Sequence, residues 1–182
     1  DWHFDADFTV DFWLYHFSNY GTGNFCREGI IGQWFDAGGS EQESWMIGFG
    51  LNNGDSKLYV WYNENPTTDS HDLQDFDGVE FSDYDDKWTH VAVSRSGASL
   101  YAFLDGVLKE THTMRETIGT GALGDAATPL TIGGYRDYFK LKGYLDEIRV
   151  SKGVARWTEA FTPATEAYGP LSNFLSWGVD AD

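Results

Sequence analysis

Three groups of residues carry side chains able to do chemistry, and each suggests a different kind. The first is aromatic. A flat ring beside amides and carboxylates suits a sugar, because the ring stacks on the apolar face of the saccharide while the polar partners take its hydroxyls. Trp61 leads this group, since Leu58, Val60 and Tyr62 form the apolar stripe of its strand and the indole points the other way. Asn63 and Asn65 follow it, and Tyr84, Tyr135 and Tyr138 extend the candidate ligand-binding platform. Each of these residues, taken alone, also has a plain packing explanation.

The second group is acidic. Residues 65 to 86 hold eight Asp or Glu and no Lys or Arg. Ca²⁺ takes six to eight oxygens from carboxylates, carbonyls and water, so Asp72, Asp75 and Asp77 are candidate metal ligands. Their spacing does not follow the EF-hand register, and such a run also reads as a solvated face. Asp146 joins them as a candidate because Leu145, Ile148 and Val150 around it predict partial burial. A buried carboxylate needs backbone N–H donors or a cation, so Asp146 either caps a neighbouring loop or contacts Ca²⁺, the one cofactor expected.

The third group is His and Cys. The five His, at positions 3, 16, 71, 90 and 112, include no pair at zinc-ligand spacing, and His90 reads as a satisfied sheet residue. Cys26 is the single cysteine, so no internal disulfide forms, and it reads as a small hydrophobe.

The elements that must hold these groups are strands. Lys87 to His112 reads as two consecutive hairpins: residues 88–94 alternate, Arg95-Ser96-Gly97 turns, 99–104 alternates again, and Asp105-Gly106 turns into 107–113. Upstream, Phe8–His16 alternates with bulk on both faces, which predicts a central strand covered on its second side. Strands follow over 29–35, 44–51 and 57–63, the last two joined at Asn53-Gly54. The acidic stretch is expected to be loop apart from a short strand near 78–82. Residues 129–135 form another strand, and 139–151 a long strand or a strand with a bulge, because Gly143 interrupts it and the apolar register shifts around Leu145, Ile148 and Val150. Residues 152–161 hold at most one helical turn before Pro163. Ten to twelve short strands predict an all-β antiparallel two-sheet sandwich of the jelly-roll class.

Composition agrees. Aromatics are 17% of the 182 residues and Gly numbers 21 beside four Pro, which suits strands and tight turns. One core, over residues 1–182, is expected, with 169–182 as a C-terminal docking tail. The net charge of −17 argues against nucleic acid and anionic membrane surfaces. No apolar run is long enough to span a bilayer, and the first residues show no basic leader.

The run Trp88-Thr89-His90-Val91-Ala92-Val93 followed by Leu100-Tyr101-Ala102-Phe103-Leu104-Asp105-Gly106 resembles the signature of concanavalin A-like modules of the laminin G type, with Phe103 where that family usually carries Tyr. Phe8–Trp13, Pro129–Gly134, Gly143–Val150 and Gly153–Pro163 are similar to its other strands, in order, over residues 4 to 168. The resemblance implies a concanavalin A-like sandwich and a choice of roles. The first is a non-enzymatic carbohydrate-binding module that takes a glycan or polysaccharide on an extracellular, cell-surface or virion-surface protein. The second is a structural or adhesion piece of a phage or bacterial assembly, acting through neighbouring protein subunits or as a homo-oligomer. Catalysis is not expected, because the paired-carboxylate strand motif of the sandwich glucanases is absent, and Glu41 and Glu43, though two residues apart, sit beside a Gly-Gly turn. Trp88 is expected to cover the edge of the core.

Overall fold

The computed structural model describes residues 2–18, 27–35, 42–52, 55–65, 72–114, 120–135 and 139–168. Among these, β1 (Phe8–His16), β2 (Arg27–Phe35), β3 (Gln42–Asn52), β4 (Asp55–Tyr62), β5 (Asp72–Glu80), β6 (Trp88–Ser96), β7 (Ser99–Leu104), β8 (Val107–Thr113), β9 (Thr131–Ile132), β10 (Gly134–Tyr135), β11 (Phe139–Lys140) and β12 (Gly143–Lys152) build two sheets. One has the order β12-β1-β6-β7-β8. The other runs β10-β11-β2-β3-β4-β5, with β9 also on β2. All pairings are antiparallel except the single contact of Lys140 with Gly29. The all-β sandwich expected from the alternation is the fold observed.

Period-2 alternation explains the core. Phe8, Val10, Phe12 and Leu14 of β1 meet Val91 and Val93 of β6 and Leu100, Ala102 and Leu104 of β7. Facing them from the second sheet are Trp45, Ile47 and Phe49 of β3 and Leu58, Val60 and Tyr62 of β4. Phe4 stacks on Phe8 at 4.0 Å between ring centroids, closing one end. Arg95 is fully buried there, its Nε donating to Gly97 O at 2.9 Å and a terminal nitrogen to Gly121 O at 2.6 Å. Carbonyls thus replace the water that a buried guanidinium loses.

Three expectations are corrected. The acidic stretch is not loop with a strand at 78–82: β5 occupies Asp72–Glu80, and a single 3-10 turn covers Phe81–Tyr84. Phe76 is the residue that makes this possible, since it is buried and opposite Leu58, which gives an otherwise polar segment an anchor in the core. The stretch 139–151 is not one bulged strand either. The chain leaves one sheet after Lys140 and enters the other at Gly143, so the interruption is a crossing between layers. A bulge does form where the apolar register shifts between Leu145 and Val150, opposite Asp11 and Trp13, and there Glu147 has φ 49°. No helical turn forms over 152–161, and that segment instead lies extended across the outer face of the five-stranded sheet.

The β7–β8 turn secures that segment. Asp105 and Gly106 both have positive φ, 50° and 76°, as the tight turn requires. The Phe161 N–H donates to Gly106 O at 2.9 Å, and a Cβ on Gly106 would lie 1.9 Å from Phe161 O. Gly133, with φ 79°, has nothing within 4 Å of the same position. G133A therefore loses only the backbone term, about 1 kcal/mol, whereas G106A adds a clash with main chain and loses at least about 2 kcal/mol. Urea unfolding of the two variants checks the difference.

Candidate functional site

The outward residues of β1 are Thr9, Asp11, Trp13 and Tyr15, and the strand pairings place each at the centre of a row across β12, β1 and β6. The rows are Ser151–Thr9–Ser94, Arg149–Asp11–Ala92, Asp146–Trp13–His90 and Tyr144–Tyr15–Trp88. Their chemistry changes along the strand from hydroxyl, through charge, to aromatic.

The first two rows, and His90 of the third, lie under residues 153–168. Thr9 Oγ1 bonds Ser94 Oγ, Val154 O and the Arg156 N–H at 2.9, 3.1 and 2.9 Å. Asp11 is fully buried and accepts two parallel bonds from Arg149, at 3.0 and 2.9 Å, and one from the Tyr168 hydroxyl at 2.5 Å. Burial alone would raise its pKa, but His90, Arg149 and Tyr168 together hold it below 3.8. The same burial and the neighbouring Asp11 charge push the Tyr168 phenol well above its ordinary value. Trp157 and Phe161 stack at 3.8 Å and cap His90. His90, expected to be a satisfied sheet residue, is held by rings: its Nε2 is 3.4 Å from Asp11 Oδ2, and its Nδ1 has no hydrogen bond.

The fourth row is open. Trp88 is 46% exposed and Tyr144 60%, so Trp88 does not cover the core edge as expected. Tyr15 stands between them, 5.8 Å from Trp88 and 6.1 Å from Tyr144, and Phe17 meets Tyr15 and Tyr144 edge-on at 5.9 and 5.3 Å. Where the open row meets the covered ones, a cleft of about 330 Å³ is lined by Trp13, Trp88, Asp146, Glu147 and residues 164–167. Glu147 Oε2 accepts the Tyr168 N–H at 2.7 Å and Asp146 Oδ1 accepts the Glu147 N–H at 2.8 Å, so both carboxylates are fixed by main chain. Exposed rings beside oriented carboxylates are the composition that a sugar site requires.

The described residues among those expected to bind ligand lie elsewhere. Trp61 does point away from the core stripe, but it is 2% exposed, and its expected exposure is corrected. It packs with Trp34, Met46 and Tyr59 on the outer face of the second sheet, where Gly48 and Gly50 leave room for the Trp61 and Tyr59 rings. Asn63 is buried and donates to Glu43 at 3.3 Å while accepting the Asn65 N–H at 2.9 Å. That bond replaces a solvent-facing amide with a turn lock; Asn65 itself is exposed. Tyr84 packs against the core and lies under the ammonium groups of Lys87 and Lys109, at 4.8 and 5.4 Å. Tyr138 and the Tyr135 side chain lie outside the described residues, as does the tail 169–182.

Asp72, Asp75 and Asp77 belong to β5, with side chains outside the described set. Asp146 is exposed, and its partial burial is corrected: the bulge turns it outward, and it caps its own successor. Among the described residues no three His, Cys, Asp or Glu come together as a metal site. The residues missed from sequence, Tyr15, Trp88 and Tyr144, share a face only through cross-strand register, which alternation within one strand does not reveal.

A second buried charged group closes the far end of β1. His16 has Nδ1 2.5 Å from Asp85 and Nε2 3.4 Å from Glu28, whose carboxylate also accepts the Lys142 N–H at 2.7 Å. Burial works to lower the His16 pKa, but the bonds to Glu28 and Asp85 and their charges more than offset it and raise the value above 6.5.

A family model described as the concanavalin A-like lectin/glucanases superfamily matches residues 1–160. No curated protein matches the chain. Among solved structures, the chain is similar to the Ruminococcus gnavus IT-sialidase CBM40 bound to α2,6 sialyllactose, with TM-score 0.57, 13% identity and coverage of 83% of this chain and 79% of that one. It is also similar to the botulinum neurotoxin serotype D ligand binding domain in complex with N-acetylneuraminic acid, with TM-score 0.54, 15% identity and coverage of 84% and 35%. The chain thus spans about a third of the neurotoxin chains it matches, and identities this low establish the fold alone. No described helix is long and apolar enough to cross a membrane.

Two outcomes follow. D11A leaves Arg149 and Tyr168 without their buried partner and lowers the unfolding free energy by about 3–5 kcal/mol, with faster hydrogen exchange at the Arg156 and Tyr168 amides. The His16 contribution is complete below pH 6.5, the unfolded value, and is lost as pH rises through the raised folded value. Thermal melts of the native chain should therefore fall across that rise, and H16Q should flatten this part of the profile.

Proposed function

The chain belongs to the concanavalin A-like lectin/glucanase superfamily, and we propose that it is a non-catalytic carbohydrate-binding module whose contact surface is the open row Tyr144–Tyr15–Trp88 with the adjoining cleft. The observation that carries this reading is the row itself: two exposed rings flank a third on neighbouring strands, beside carboxylates oriented by backbone N–H donors. Strand spacing sets the row at about 10 Å across, and a rigid sheet holds its rings without an ordering cost on binding. Asp146 and Glu147 act as fixed acceptors for sugar hydroxyls. A glycan or polysaccharide outside the cell is the partner in this reading.

W88A tests it. Trp88 is half exposed, so its removal should leave the melting temperature nearly unchanged while weakening glycan retention in affinity electrophoresis or on an array by about tenfold or more. W61A should do the opposite, costing about 3–5 kcal/mol of stability because that ring is buried. Unchanged glycan binding in a folded W88A sinks the assignment of the row. If W88A instead converts an oligomer to a monomer in native mass measurements, the row is a protein contact.

A further inference from the structure

We infer that the cleft beside the aromatic row selects neutral glycans and rejects anionic ones. This rests on the reading of the row as a glycan site and concerns the charge of its ligand. Three carboxylates, Asp146, Glu147 and Glu166, line the cleft, and among the described residues no Lys or Arg side chain lines it with them. Asp146 and Glu166 are exposed, so their charges face the entering ligand.

Among the described residues, the cations on the adjoining stretches of chain are engaged away from the cleft. Arg149, two residues from Glu147, faces the next row and gives two of its nitrogens to Asp11, with its guanidinium 4.0 Å from the Tyr168 ring. The Lys87 ammonium lies over Tyr84. Lys142, whose carbonyl accepts the Phe17 N–H, stands at the far end of the row from the carboxylates. A sugar carboxylate or sulfate entering the cleft would meet acceptors and like charge well within a Debye length, about 8 Å at physiological salt. A neutral saccharide meets the same oxygens with hydroxyl donors. Like charges across a contact act as a repulsive element that sets specificity.

The test is an array of matched pairs, each a neutral oligosaccharide and the same one carrying a single sialic acid, uronate or sulfate. At about 0.1 M salt the native chain should bind the neutral member at least about tenfold more tightly. The ratio should shrink at least about threefold in D146N/E166Q, and also for the native chain at about 0.5 M salt, because removing or screening the charge removes the repulsion. W88A should weaken both members together. Equal or tighter binding of the anionic members by the native chain overturns the selectivity and leaves the glycan site standing. A ratio insensitive to salt and to D146N/E166Q shows exclusion by shape and also overturns it. Failure to bind either member of any pair overturns the underlying reading, and the selectivity with it.

Discussion

The outer face of the five-stranded sheet is organised by a single buried carboxylate. Asp11 has no exposed surface, yet it lies on the side of β1 that faces away from the core. A charge in that position is tolerable only if something both covers and pairs it. Arg149 supplies the pair from β12 and Tyr168 a third donor from the trailing segment. One side chain therefore ties the central strand, an edge strand and residues 153–168 together. The segment is fixed midway by the bond of the Phe161 N–H to Gly106 O, and at its other end by the Gly153 N–H donating to Asp7 O. Where this cover stops, the rings of Trp88, Tyr15 and Tyr144 are left open, so the limit of the candidate site is set by how far the cover anchored on Asp11 extends.

The two outward faces of the sandwich solve the same problem differently. On the second sheet Gly48 and Gly50 remove side chains from β3, and Tyr59 and Trp61 fill the vacated space, with stacked centroids 5.2 Å apart. Such aromatic cover over strand glycines repairs their weak pairing. On the five-stranded sheet the rings of the open row stand on one another's edges. An indole fills a hole on one sheet and presents a surface on the other. Composition counts both alike.

This difference explains what could be taken from the sequence. Alternation within β1, β6 and β7 shows that they are strands, because side chains repeat with the strand period, and Asp105-Gly106 marks a turn whose backbone needs positive φ. The hidden placements depended on partners far along the chain. Trp61 was correctly assigned to the face opposite Leu58 and Val60, but its burial depends on glycines in a neighbouring strand. Phe76 converted an acidic run into β5 through one contact with Leu58. The row Tyr144–Tyr15–Trp88 joins residues from three separate stretches, and only register aligns them.

The bulge in β12 shows why that register matters. Asp146 and Arg149 are three residues apart, which in a regular strand puts them on opposite faces. Here Asp146 stands opposite Trp13 and Arg149 opposite Asp11, both on the outer side, because the strand gains one residue at Glu147. Leu145 and Val150 still meet Leu14 and Val10 on the inner side, so the core stripe survives the shift. The cost is a left-handed backbone at a residue with a Cβ, and it is offset locally. Asp146 accepts the amide of Glu147, and Glu147 in turn accepts the amide of Tyr168. A regular β12 could satisfy Asp11 with Arg149 or place Asp146 beside Trp13, but not both. The bulge is thus what lets one strand anchor the covering segment and furnish the acidic wall of the cleft.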